Sequence, residues 1–284
     1  MSANEKTVAD VMTPAPIVVE VPGSRSDAIN LMVRYKLTGL PVVRSSDGKL
    51  MGIVSRRDIF RKFDEEQLSL IMKRNCIVIG PDATLPEAAK IFAQKRIHRL
   101  PVVADGRLVG IVTPTDLLKE VRKMKTDMTA GETIRTTCVT VYEEDPLSYI
   151  VNAMRISDVT AVPVLDTRGE LVGILTDRDL FSDQLTDEEA AAKLGISDAK
   201  LAGIRNVLPL FYTVTEDYMN NNRAVKDYMI KKPLTVFRKT TLNEVARQMV
   251  INDFGQMPVH GTKDELVGMI YDVDVLCAFL GGVE

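Results

Sequence analysis

An α+β fold made of four copies of one β-α-β-β-α unit, packed in two pairs, is predicted by three features of this 284-residue chain. The strings LPVV at Leu40–Val43, LPVV at Leu100–Val103, VPVL at Val162–Leu165 and MPVH at Met257–His260 recur, and such self-similarity marks a repeat architecture. Each is followed by a polar turn and an apolar-Gly-apolar-apolar run centred on Gly52, Gly110, Gly173 and Gly268. An apolar residue stands 29 positions ahead of each proline: Met12, Met72, Ile134 and Met229 precede Pro41, Pro101, Pro163 and Pro258. Four copies in one register leave little room for coincidence.

The first strand of each unit is short and β-branched: Ile17-Val18-Val19, Ile77-Val78-Ile79, Val139-Thr140-Val141 and Thr235-Val236-Phe237. A helix start follows, with Ser24 and Asp27, Thr84 and Glu87, and Thr241 and Glu244 at capping-box spacing, while Pro146 suits a first turn in the third copy. Apolar residues then recur at helical intervals, as in Ala28, Leu31, Met32 and Tyr35. Tight turns such as Ser46-Asp47-Gly48 and Asp105-Gly106 join the Pro-Val strand to the Gly-centred strand, so the two form a hairpin. A second helix opens near Asp58, Asp116, Asp179 and Asp274, each six residues beyond its glycine.

A unit of about 60 residues buries too little surface to stand alone, so the units are expected to pair. The repeats fall at residues 1–66, 67–125, 126–181 and 223–284, with an insertion at 182–222 whose Thr186-Asp187-Glu188-Glu189 start reads as helical.

Composition narrows the function. Lys plus Arg is 36 and Asp plus Glu is 39, a net charge of −3, which disfavours a dedicated nucleic-acid binder. No apolar run approaches the ~20 residues of a membrane span, and the polar start lacks a signal-peptide core. Cys76, Cys138 and Cys277 are isolated, so neither a disulfide framework nor a paired-Cys metal motif is expected, and a reducing cytoplasm fits. With two histidines, no Gly-x-Gly-x-x-Gly, no phosphate loop and no nucleophile elbow, neither catalysis nor a resident metal or cofactor is expected.

The unit resembles the cystathionine-β-synthase (CBS) domain over nearly the whole chain outside the insertion. Four copies resemble stand-alone four-repeat CBS proteins and the nucleotide-sensing gamma subunit of AMP-activated protein kinase. The resemblance implies two modules of paired repeats, each with two symmetry-related clefts, that bind AMP, ADP or ATP, or S-adenosylmethionine and its relatives, and regulate a partner protein. Four repeats can close a disc within one chain, and a homodimer is the alternative. The family's ribose signature, Ser or Thr followed three residues later by Asp, appears as Ser55-Arg56-Arg57-Asp58, Thr113-Pro114-Thr115-Asp116 and Thr176-Asp177-Arg178-Asp179. The fourth copy, Tyr271-Asp272-Val273-Asp274, keeps the Asp and replaces the small hydroxyl with a phenol. By the same resemblance His98-Arg99, just ahead of Leu100-Pro101, contacts phosphates. Arg34, Lys36, Arg56, Arg57, Lys95 and Arg96 add positive charge to the first pair.

The chemistry is coherent. An ionised carboxylate accepts the 2′- and 3′-hydroxyls of a ribose together, and such charged hydrogen bonds contribute about 1.5–3 kcal/mol each. Arg presents a planar fork to phosphate oxygens and His a ring donor. The same Ser/Thr-to-Asp spacing also caps a helix, which alone contributes about 1 kcal/mol and requires no ligand.

Overall fold

The computed structural model pairs the Pro-Val strand with the Gly-centred strand in every repeat, with the Pro-Val strand inside its sheet in repeats 1, 3 and 4 and at the sheet edge in repeat 2. It describes residues 5–62, 65–134, 138–157, 159–176, 224–263 and 265–281. The predicted insertion at 182–222, together with Arg178 and Asp179, lies outside the described residues.

Repeat 1 comprises β1 (Thr13–Pro14), β2 (Val19–Val21), α1 (Arg25–Arg34), β3 (Gly39–Arg44), β4 (Leu50–Ser55) and α2 (Arg56–Arg61). Repeat 2 adds α3 (Leu68–Ile71), α4 (Leu85–Lys95), β5 (Leu100–Ala104), β6 (Arg107–Val112) and α5 (Pro114–Val121). Repeat 3 holds α6 (Ala130–Thr133), β7 (Val141–Tyr142), α7 (Leu147–Ser157), β8 (Ala161–Leu165) and β9 (Leu171–Thr176). Repeat 4 holds β10 (Ile230–Lys231), β11 (Val236–Phe237), α8 (Leu242–Asn252), β12 (Gln256–His260), β13 (Leu266–Tyr271) and α9 (Asp272–Val275), followed by a 3₁₀ turn over Leu276–Leu280.

The predicted hairpins are present in all four repeats, each with a register shift just after the Pro-Val pair. The first strands begin later than β-propensity suggests. In repeat 1 parallel pairing starts at Val19↔Val42, and in repeat 2 it shrinks to the single bridge Ile79↔Val102. Ile79 donates to the Pro101 carbonyl and accepts from Val103. Pro101 has no N–H to extend that ladder toward Ile77, so Ile77 and its counterpart Ile17 fall outside the sheet. Of the predicted capping boxes, Ser24–Asp27 and Thr84–Glu87 form. Glu244 instead takes two hydrogen bonds from Arg247, at 2.6 and 2.7 Å, and a side-chain fork outcompetes a lone cap bond.

The repeat glycines explain the pairing. The segment leading into each repeat crosses the Gly-centred strand of its neighbour. β1 pairs with β6 through Pro14↔Gly110, β10 pairs with β9 through Lys231↔Gly173, and Lys73 exchanges backbone hydrogen bonds with Ile53. A Cβ at Gly110 would lie 2.3 Å from Met12 Sδ, one at Gly173 2.4 Å from Met229 Sδ, and one at Gly52 2.3 Å from the Lys73 carbonyl oxygen. At Gly110 and Gly173 the methionine and the glycine of the repeat are therefore two halves of one contact.

Helices meet across the pairs. One core joins Ile29 and Met32 of repeat 1 to Ile150 and Met154 of repeat 3, and another joins Phe92 and Leu117 of repeat 2 to Val245, Met249 and Leu276 of repeat 4. No described helix is long and apolar enough to cross a membrane.

Gly52→Ala is expected to cost about 1–3 kcal/mol in urea unfolding, as overpacking does. Gly110→Ala is expected to cost less, because its obstacle is the end of a flexible thioether and not backbone.

Candidate functional site

The entrances of the second helices of repeats 1 and 2 are built alike. Residue 55 leaves β4 in extended conformation, and Ser55 N donates to Asp58 Oδ2 at 2.9 Å while Asp58 N donates back to Ser55 Oγ at 3.3 Å. At α5, Thr113 N and Oγ1 donate to Asp116 Oδ2 at 3.0 and 2.7 Å. Each aspartate thus uses Oδ2 as a cap and turns Oδ1 outward. Oδ1 of Asp58 faces Lys73 Nζ at 3.4 Å, and Oδ1 of Asp116 faces Lys119 Nζ at 3.1 Å. The hydroxyl hydrogens of Ser55 and Thr113 are directed at the carboxylates, so these residues hold the acceptor in place.

Arg99 completes the first cleft from the neighbouring repeat. It leads into β5 but lies against Gly39, where a Cβ would come within 2.7 Å of its Cζ, and it donates to Thr38 Oγ1. Burial pushes its pKa down to about 10, the nearby Arg56 pushes the same way, and Asp58 opposes them. Arg56 and Arg57, in the first turn of α2, are half-buried. The second cleft differs: the residue matching Arg99 in the repeat-1 register is Gly39, and Thr115 is exposed on α5. In the other pair, Thr160 Oγ1 and Gln256 Oε1 lie 3.3 Å apart at the positions of Thr38 and Arg99, without a charge. Thr176 ends β9, half-buried.

His98 and Arg99 do not converge. Neighbours in an extended segment point to opposite sides, and His98 Nδ1 lies 3.3 Å from Asp272 Oδ2 of repeat 4. Arg96 goes the same way, its Nη1 2.8 Å from Asp274 Oδ1. Asp272, Arg96 in this position, Lys73 and Thr38 are site residues that the signature did not single out. A second aspartate directly after Tyr271 was the available signal. Burial raises the pKa of Tyr271, with Cys138 and Asp274 adding to the effect and Arg96 opposing it. Among the described residues no cluster of His, Cys, Asp and Glu could hold a metal ion.

The CBS domain model matches residues 8–65, 68–123, 130–185 and 225–281. An uncharacterized protein of Methanocaldococcus jannaschii is 29% identical over 200 residues, 64% of this chain and 71% of its own length. The inosine-5′-monophosphate dehydrogenase of that organism is 35% identical over 119 residues, which is 41% of this chain and only 23% of the enzyme. The crystal structure of protein MJ1225 from M. jannaschii, proposed as an archaeal homolog of g-AMPK, has a TM-score of 0.72 at 23% identity, covering 96% of this chain and 100% of that one. An uncharacterized conserved protein from Pyrococcus horikoshii gives 0.69 at 24% identity with the same coverage. These two share the fold.

The folded chain holds the Arg99 proton less tightly than the unfolded chain does. The charge therefore destabilises the ligand-free fold below about pH 10, and the penalty fades only as pH rises above that. At pH 7, Arg99→Met is expected to raise the ligand-free melting temperature by roughly 2–4 °C, read by differential scanning calorimetry.

Proposed function

Because the chain belongs to the CBS-domain family and carries four copies of it, we propose that it is a non-catalytic regulatory module that binds adenine nucleotides between repeats and reports their occupancy to a partner protein. CBS domains are regulatory ligand-binding modules; the choice of AMP, ADP or ATP rests on the first cleft. There a carboxylate and a guanidinium from two different repeats face the same space, with a second guanidinium nearby. That arrangement suits a ligand with a diol at one end and an anion at the other.

Asp58 Oδ1 keeps its lone pairs for the ribose once the exposed Lys73 swings away. Arg99 and Arg56 meet the phosphates, and the anion relieves the repulsion between them. Asp116 offers the same acceptor in the second cleft, and Thr176, Arg178 and Asp179 carry the signature of the third. Nucleotide would shift the protein toward the arrangement of repeats that binds it better, which is how occupancy reaches the partner. A cytoplasmic setting fits the free cysteines. The second cleft has Gly39 where the first has Arg99, which favours an adenosyl ligand without phosphates there, such as S-adenosylmethionine or methylthioadenosine.

Isothermal titration with AMP, ADP and ATP tests the reading. Asp58→Ala is expected to weaken nucleotide binding about tenfold or more, and Arg99→Met to weaken it and flatten its salt dependence. Unchanged affinity in both variants leaves the aspartates as helix caps in a ligand-free scaffold.

A further inference from the structure

The fourth repeat breaks the pattern shared by the first two, and the break is filled from inside the molecule. In repeats 1 and 2 the outward Oδ1 of the signature aspartate faces a lysine whose side chain is 66% or 50% exposed. In repeat 4 the cation opposite Oδ1 is Arg96, whose side chain is 38% exposed and whose Nη1 donates to Asp274 Oδ1 at 2.8 Å; Asp274 itself is 3% exposed, against 7% for Asp58 and 12% for Asp116. Asp274 Oδ2 accepts from Tyr271 N at 3.1 Å. The phenol that replaces the small hydroxyl lies beside the same guanidinium, with Arg96 Cζ 5.5 Å from the ring centroid. A second contact runs alongside: Asp272 accepts from Val273 N through Oδ1 and faces His98 through Oδ2. Both arms come from the turn between α4 and β5, where Arg96 adopts a left-handed conformation with φ 48° and its N–H returns to Phe92 O.

From this we infer that Arg96 is a built-in occupant of the fourth cleft, which takes no adenosyl ligand and instead latches repeat 2 onto repeat 4. Any ribose approaching Asp274 would have to displace a guanidinium that both donates to the carboxylate at 2.8 Å and lies against the Tyr271 ring. Neutral hydroxyls are weaker partners for that carboxylate than the cation they would evict, and the cation would be left without its acceptor. The inference deepens the nucleotide reading by fixing which cleft is closed to ligand, yet the pairing itself can be measured with no ligand present.

The decisive experiment is a double-mutant cycle on the full chain with Arg96→Met and Asp274→Asn, read by urea unfolding. The expected result is a coupling of about fivefold or more in the unfolding equilibrium constant, with the double variant little worse than the poorer single. Additive effects would overturn the latch. Should Asp274→Asn fail to fold, Arg96→Met alone decides: amide exchange at Val273–Val275 is expected to accelerate about fivefold or more, and unchanged exchange sinks the proposal. Counting AMP equivalents by calorimetry separates the two readings. Asp274→Asn is expected to bind as many equivalents as the parent chain, and loss of one would show that the fourth cleft is open. If AMP binds nowhere, the nucleotide reading fails while the cycle still decides the latch.

Discussion

The structure depends on one close approach, made where the segment leading into a repeat crosses the glycine strand of its neighbour. Gly52, Gly110 and Gly173 each admit a close neighbour, a backbone carbonyl oxygen at Gly52 and a methionine sulfur at the other two. The crossing locks two repeats into a pair and sets the hairpins face to face. It also places residues of one repeat in the cleft of the other. Arg99 can lie over Gly39, and Lys73 beside Asp58, only because the pair is assembled this way.

Capping and ligand binding are often treated as rival explanations of a Ser/Thr-to-Asp pattern. Here the carboxylate has enough acceptor capacity for both. One oxygen satisfies the free N–H groups at the helix entrance and so fixes the side chain in a single orientation. The other is left facing the cleft, its position determined by the first. What distinguishes the repeats is the cation opposite that second oxygen: a solvated lysine in two of them, a stacked and paired arginine in the fourth.

Much of this was legible in the chain itself. The hairpins, the first-helix starts at Ser24 and Thr84, and the second-helix entrances at Ser55 and Thr113 follow from local rules, and they stand where the pattern puts them. The first strands were misplaced by about two residues, because β-propensity at Ile17 and Ile77 says nothing about whether a proline across the ladder can supply an N–H. His98 and Arg99 read as one phosphate site because they are adjacent, whereas alternation along the backbone sends them to different repeats. The partners of Arg96 and His98 were out of reach, since they lie 178 and 174 residues away and no spacing rule spans such distances.

Each of the two large apolar cores draws side chains from both halves of the chain. During synthesis the first half therefore emerges with its sheets paired and its greasy helix flanks bare, and it stays so until the second half arrives to cover them. Cutting the polypeptide near its midpoint would not release two free-standing products, because neither fragment owns a complete interior.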